Sequence, residues 1–87
     1  MKPLKLGENI AALRRKANIT QDQLANWIGV SKSSVSKWET NTSYPDIIFL
    51  PQLATLFNVT VDELMGYEPQ LTQEAIVELY HQLSDEI

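Results

Sequence analysis

Apolar residues fall at Leu6, Ile10, Leu13 and Ala17, three or four apart, which is the period of a helix with one face turned inward. Glu8 sits in the first turn of this segment and Arg14, Arg15 and Lys16 in the last, so the charges suit the helix dipole at both ends. The pattern breaks at Asn18-Ile19. Thr20-Gln21-Asp22-Gln23 then reads as a capping box, in which Thr20 accepts from the backbone three residues on while Gln23 reaches back. A second helix comes next with Leu24, Ala25 and Ile28 on one face, and it stops at Gly29, which tolerates the left-handed turn of a helix end. Val30 plugs that turn. Ser31 is an N-cap for a third helix, with Val35 and Trp38 on one face and Lys32, Ser33, Ser36 and Lys37 on the other.

Thr40 to Asp46 is a loop by composition, and Asp46 is placed to cap the next helical segment. Ile47, Leu50, Leu53, Ala54 and Phe57 resume the helical period. A proline inside a helix removes a donor and clashes with the preceding turn, so the fourth helix is expected to begin near residue 49 or 50, with Pro51 in its first turn. Thr60-Val61-Asp62-Glu63 is a second capping box, opening a short fifth helix through Leu64 and Met65 that Gly66 closes. Residues 67–71 read as a linker. Thr72 caps a last amphipathic helix over 72–87, with Ile76, Leu79, Tyr80, Leu83 and Ile87 in one stripe. The expected architecture is all-α: a five-helix domain over 1–66, the linker, and a helix that forms a dimer seam or leads into a further domain. That last pattern has no C-cap, as in a fragment or a helix finished by a partner chain.

At 87 residues only one small domain fits. The absence of cysteine excludes a disulfide framework and thiolate metal sites, and no apolar run approaches a membrane span, so a soluble, unexported, cytoplasmic protein is expected. The net charge of -4 at first argues against a nucleic-acid partner. Its layout reverses that reading. All seven basic residues precede residue 45 with three acids among them, a net +4, whereas the remainder holds eight acids and neither Lys nor Arg, a net -8. Such asymmetry fits a DNA-facing segment joined to a partner-facing one, although uneven surface charge without purpose fits it equally.

Two helices joined by a glycine turn, the second with a small, polar and basic outer face, make a helix-turn-helix, the unit that lays its second helix in the major groove. Thr20-Gln21, Leu24-Ala25, Ile28-Gly29-Val30-Ser31, Val35-Ser36 and Trp38-Glu39 stand at the required spacing, with alanine where the helices cross closely. With Leu13-Arg14 before them and Tyr44-Pro45, Leu53-Ala54, Phe57-Asn58-Val59 and Asp62-Glu63-Leu64 after, the chain strongly resembles the lambda-repressor-like, Xre-type regulators from Leu6 to about Met65.

The resemblance implies roles residue by residue. Lys32, Ser33, Ser36 and Lys37 match positions that touch base edges, and lysine and serine can indeed donate there. Gln21 matches a residue that bonds a backbone phosphate and braces the reading helix. Ser31, Asn41, Thr42 and Ser43 are the other phosphate candidates. The loop lacks the Arg or Lys common in the family, which shifts phosphate contact there to backbone amides and hydroxyls. Arg14 and Glu39 match a structural ion pair between the first and third helices.

The remaining residues have plainer readings. Trp38 is core by its spacing with Val35, and Trp27 fits the core edge first, with an interface or DNA-flanking position as the alternatives. Lys2, Lys5, Arg15 and Lys16 are read as solvated, with a steering effect. His81 lacks a second histidine or a cysteine for a metal and a serine partner for catalysis, and no nucleophile or phosphate-loop motif is present, so no enzyme, metal or cofactor is expected. Ile48, Phe49, Leu56 and Met65 exceed what a five-helix monomer needs and imply a surface covered by the last helix, a second subunit or both. The expected function is sequence-specific binding of double-stranded DNA as a homodimeric repressor on a palindromic operator. The alternative is a protein-interaction module or antitoxin whose acidic C-terminal half holds a protein partner.

Overall fold

The computed structural model of the chain describes residues 4–67 and 77–82. Five helices run in order: α1 (Leu6–Lys16), α2 (Gln21–Ile28), α3 (Lys32–Glu39), α4 (Phe49–Phe57) and α5 (Val61–Met65). Residues 77–82 are also helical, and no strand occurs among the described residues. The expected all-α class is what is found. Lys2, Ile76, Leu83, Ile87, the capping Thr72 and linker residues 68–71 lie outside the described residues.

The caps read from the sequence form as hydrogen bonds. Thr20 Oγ1 accepts from the Gln23 amide at 3.0 Å while Gln23 Oε1 accepts from the Thr20 amide at 2.8 Å. The Thr60–Glu63 box repeats this at 3.0 and 3.1 Å. Each satisfies two backbone donors that a helix start leaves open. Gly29 closes α2 at φ 89°, and Asn18, Asn41 and Asn58 adopt the same left-handed region at φ 59°, 59° and 56°. Asparagine tolerates that region better than other non-glycine residues, so its short amide ends segments that carry no glycine. α4 begins at Phe49 with Pro51 in its first turn, as the missing donor requires. Asp46 caps the turn ahead of it, its carboxylate accepting from the Ile48 amide at 3.2 Å.

One core collects Leu6, Ile10, Leu24, Ala25, Val35, Trp38, Leu53 and Leu64. Trp38 is 4% exposed and its ring lies 6.0 Å from that of Phe49, tying α3 to α4. Phe49, Leu56 and Met65 also pack on this core, whereas Ile48 stays exposed. Three sequence placements change. Ala17 lies past the last turn of α1 and is exposed, and Ile19 takes the inward position instead. Ile47 sits in the turn before α4, out of helical phase, and is 76% exposed while Phe49 points inward. Trp27 is 73% exposed rather than at the core edge, because Leu24, Ala25 and Ile28 already fill the inner face of so short a helix. Its indole instead lines an open groove with Pro51, Gln52, Thr55 and Leu56 of α4.

Two close contacts fix α1 against α3. Gly7 is buried where an added Cβ would collide with the Trp38 carbonyl and the Asn41 side chain. At the other end of α1, Arg14 grips Glu39: Nε donates to Oε2 at 2.6 Å, Nη2 to Oε1 at 3.1 Å, and Nη1 to the Ile19 carbonyl at 2.9 Å. The two side chains are only 12% and 5% exposed. Burial alone would push the Glu39 carboxyl up, but hydrogen bonds from Arg14 and Gln21, aided by the charges of Arg14 and Arg15, hold it below its ordinary value. The Arg14 guanidinium is held above its own by the hydrogen bond to Glu39, against burial.

Removing one partner leaves the other charge buried, so Glu39→Gln or Arg14→Met should lower stability by about 3–5 kcal/mol in urea unfolding at neutral pH. Because folding depresses the Glu39 pKa, its contribution is complete above the ordinary carboxylate range and is lost as pH falls through the folded value. Unfolding free energy measured from pH 6 downward should therefore decline less steeply in the Arg14→Met, Glu39→Leu double variant than in the parent. Gly7→Ala should cost about 1–3 kcal/mol, read as a lower thermal midpoint, since the Trp38 carbonyl is backbone and cannot step aside.

Candidate nucleic-acid interface

Val35 and Trp38 anchor the inner face of α3, and that decides where the rest of the helix points. Lys32, Ser33 and Lys37 are exposed and Ser36 is half-buried on the opposite side, all on one stripe by their four-residue spacing. None of these four side chains donates or accepts a hydrogen bond within the described protein. A face of two ammonium groups and two hydroxyls thus stands open on a helix of 8 residues. The sequence-derived base-reading set is brought together as one surface.

The phosphate candidates divide. Gln21 is half-buried and donates through Nε2 to Glu39 Oε1 at 3.0 Å, so it braces the far end of α3 from α2. Ser31 Oγ accepts from the Ser34 amide at 3.1 Å and lies 3.0 Å from the Ser34 hydroxyl, which commits it to capping α3. Asn41 has a partner on α1. Its left-handed backbone turns the side chain back to α1, where Nδ2 donates to Glu8 Oε1 at 2.9 Å.

The backbone amides of this loop, expected from the resemblance to meet phosphate, also have partners within the protein. The Asn41 amide donates to the Trp38 carbonyl at 3.1 Å, and those of Thr42 and Ser43 to the Lys37 carbonyl at 2.9 and 3.3 Å. These amides satisfy carbonyls that the end of α3 would otherwise leave open. Hydroxyls remain: Thr42 Oγ1 is exposed and lies 2.9 Å from Thr40 Oγ1, and Ser43 is half-buried. The Thr40 hydroxyl donates to the Ser36 and Lys37 carbonyls at 3.1 and 3.3 Å, a role with no motif in the sequence beyond its place just after the helix.

Lys5, Arg15 and Lys16 are exposed, in line with a solvated reading. Arg15 nevertheless lies with Lys32 along an open cleft between the end of α1 and the starts of α2 and α3. Sequence spacing gave no sign of that pairing, since seventeen positions and a helix separate the two. In the segment at 77–82, Leu79 and Tyr80 of the expected interface stripe are 46% and 69% exposed, and His81 is exposed beside them. Among the described residues no group of His, Cys, Asp or Glu is placed to hold a metal ion, and no helix is long and apolar enough to cross a membrane.

Comparison with known proteins places this geometry. A family model described as Helix-turn-helix matches residues 10–64. The HTH-type transcriptional activator BcrR of Enterococcus faecalis is 38% identical over 69 residues, covering 79% of this chain and 34% of BcrR. The HTH-type transcriptional regulator ImmR of Bacillus subtilis is 30% identical over 90 aligned residues, covering 95% of this chain and 71% of ImmR. Among solved structures, the P22 c2 repressor protein in complex with a synthetic operator matches with a TM-score of 0.66 and 31% identity, covering 75% of this chain and 96% of that one. The chain spans 34% to 56% of the length of several curated relatives. With its reading unit, its braced third helix and this match over most of its length, the chain belongs to the lambda-repressor-like, Xre-type helix-turn-helix family of DNA-binding regulators.

Proposed function

We propose that this chain is the DNA-reading part of a transcriptional repressor that binds a two-fold symmetric operator as a homodimer. The observation that carries the reading is the open stripe of Lys32, Ser33, Ser36 and Lys37 on a helix whose other face is locked into the core. Such a helix enters the major groove without rearranging, and its side chains meet base edges there. The P22 c2 repressor, which shares the fold, is described in complex with an operator. BcrR is named an activator. The same reading unit serves either sign, because the sign depends on where the bound protein sits relative to a promoter; a dimer lying across the promoter represses.

A homodimer brings two reading helices to half-sites about 34 Å apart. The exposed apolar side chains of Val77, Leu79 and Tyr80 support a covered surface outside the five-helix domain. The same surface, in a stretch rich in acids, also suits a second protein partner, which is the alternative interaction-module reading. Selection of bound sequences from random duplex DNA, run beside a mass measurement, tests the proposal. An enriched palindrome with a dimeric mass supports it, and no enrichment with salt-independent binding favours the interaction module.

On the selected site, Lys37→Ala should weaken binding by about 1–3 kcal/mol while leaving affinity for random duplex nearly unchanged, as measured by fluorescence anisotropy. Equal loss on both would make Lys37 a phosphate contact instead.

A further inference from the structure

We infer that Arg15 and Lys32 clamp one backbone phosphate of the bound duplex, in the cleft between the end of α1 and the starts of α2 and α3, an inference that rests on the proposed DNA-binding function. Phosphate contact supplies most of the affinity of a protein for duplex DNA, and it needs cations free to displace counterions. The loop after α3 does not provide them. It has no Lys or Arg, the amides of Asn41, Thr42 and Ser43 are bonded to carbonyls of α3, and the Asn41 amide group is held by Glu8. Arg14 is no candidate either, because Glu39 neutralises it.

Arg15, the next residue along α1, is exposed and lines the same cleft as Lys32, the first residue of the reading helix. Neither forms an ion pair among the described residues. Asp22 is the single carboxylate on this cleft, so two cations face one acid and the cleft keeps a net positive charge. Gln21 and Arg14 form its inner wall and are tied to Glu39, which leaves the outer cations as the groups able to reach a ligand. A duplex lying along the outer face of α3 brings a strand of its backbone past the start of that helix. A phosphodiester is the anion this pair then meets. Lys32 accordingly works with Arg15 on the backbone, and base reading falls to Ser33, Ser36 and Lys37. Lys16 is a contrast within the same run of charges, since it lines a different groove beside Leu56 and Phe57.

The test is the salt dependence of binding by the whole chain to the selected site and to random duplex, between about 50 and 200 mM salt. Each neutralised phosphate contributes about 0.9 to the slope of log affinity against log salt and this clamp needs both cations, so Arg15→Ala, Lys32→Ala and the double variant should all flatten the slope by about that same amount per bound chain. Over a fourfold rise in salt each variant should then lose about threefold less affinity than the parent per bound chain. Weakening should be equal on both duplexes, Arg15→Lys should restore the slope, and Lys16→Ala should leave it unchanged. A parental slope in Arg15→Ala, or a loss in Lys32→Ala confined to the selected site, overturns the clamp while the regulator reading stands. A parent that binds no duplex at low salt removes both.

Discussion

Glu39 accepts three hydrogen bonds, two from Arg14 on α1 and one from Gln21 on α2, and the attitude of α3 depends on them. A helix of 8 residues has little rigidity of its own and takes its direction from what its two ends are fixed to. At one end Ser31 caps it. At the other, a buried carboxylate is forked by a guanidinium and finished by an amide, a geometry that admits few alternatives. A buried ion pair of this kind adds little net stability compared with a well-packed apolar pair, and its value lies in specifying one arrangement. Here the specified arrangement is the outward aim of Lys32, Ser33, Ser36 and Lys37. The network joins all three helices of the first half, so the reading face is built by α1 and α2 as much as by α3.

Much of this was legible in the sequence because it is written in short-range chemistry. Thr20 with Gln23 and Thr60 with Glu63 act across three residues, and both boxes form. Pro51 restricts its own neighbourhood, and α4 starts where that restriction allows. The Arg14–Glu39 pair and the Gln21 brace came from family resemblance, since nothing in the spacing of residues 14, 21 and 39 alone brings them together. What failed depends on where neighbouring elements lie. Ala17 and Ile47 continue a helical period on paper, but each sits just outside its helix, and Ile19 and Phe49 occupy the positions they were assigned. Asn41 gives no local hint that its side chain reaches Glu8, thirty-three positions earlier.

Charge explains how an acidic chain can still face a polyanion. The cations lie before residue 45 with three acids among them: Glu39 is buried against Arg14, Glu8 is held by Asn41, and Asp22 lines the cleft of Arg15 and Lys32, where it is outnumbered. In the second half, Asp46, Asp62, Glu63 and Glu78 lie outside α1, α2 and α3, and salt weakens their repulsion of a duplex bound there. Net charge describes the far field of a molecule, whereas binding is decided within about a Debye length of the surface that makes contact.

The chain has two tryptophans in opposite surroundings: Trp38 beneath α3 against Phe49, and Trp27 open to solvent on α2. An indole in water emits further to the red than one in an apolar core, so the protein carries two built-in optical reporters with separable colours. Emission from Trp38 tracks whether the reading helix is seated, and emission from Trp27 tracks whether anything has come to lie over the α2–α4 groove. Phenylalanine at either position silences one signal and isolates the other, which makes folding and surface occupancy observable in the same cuvette without an attached dye.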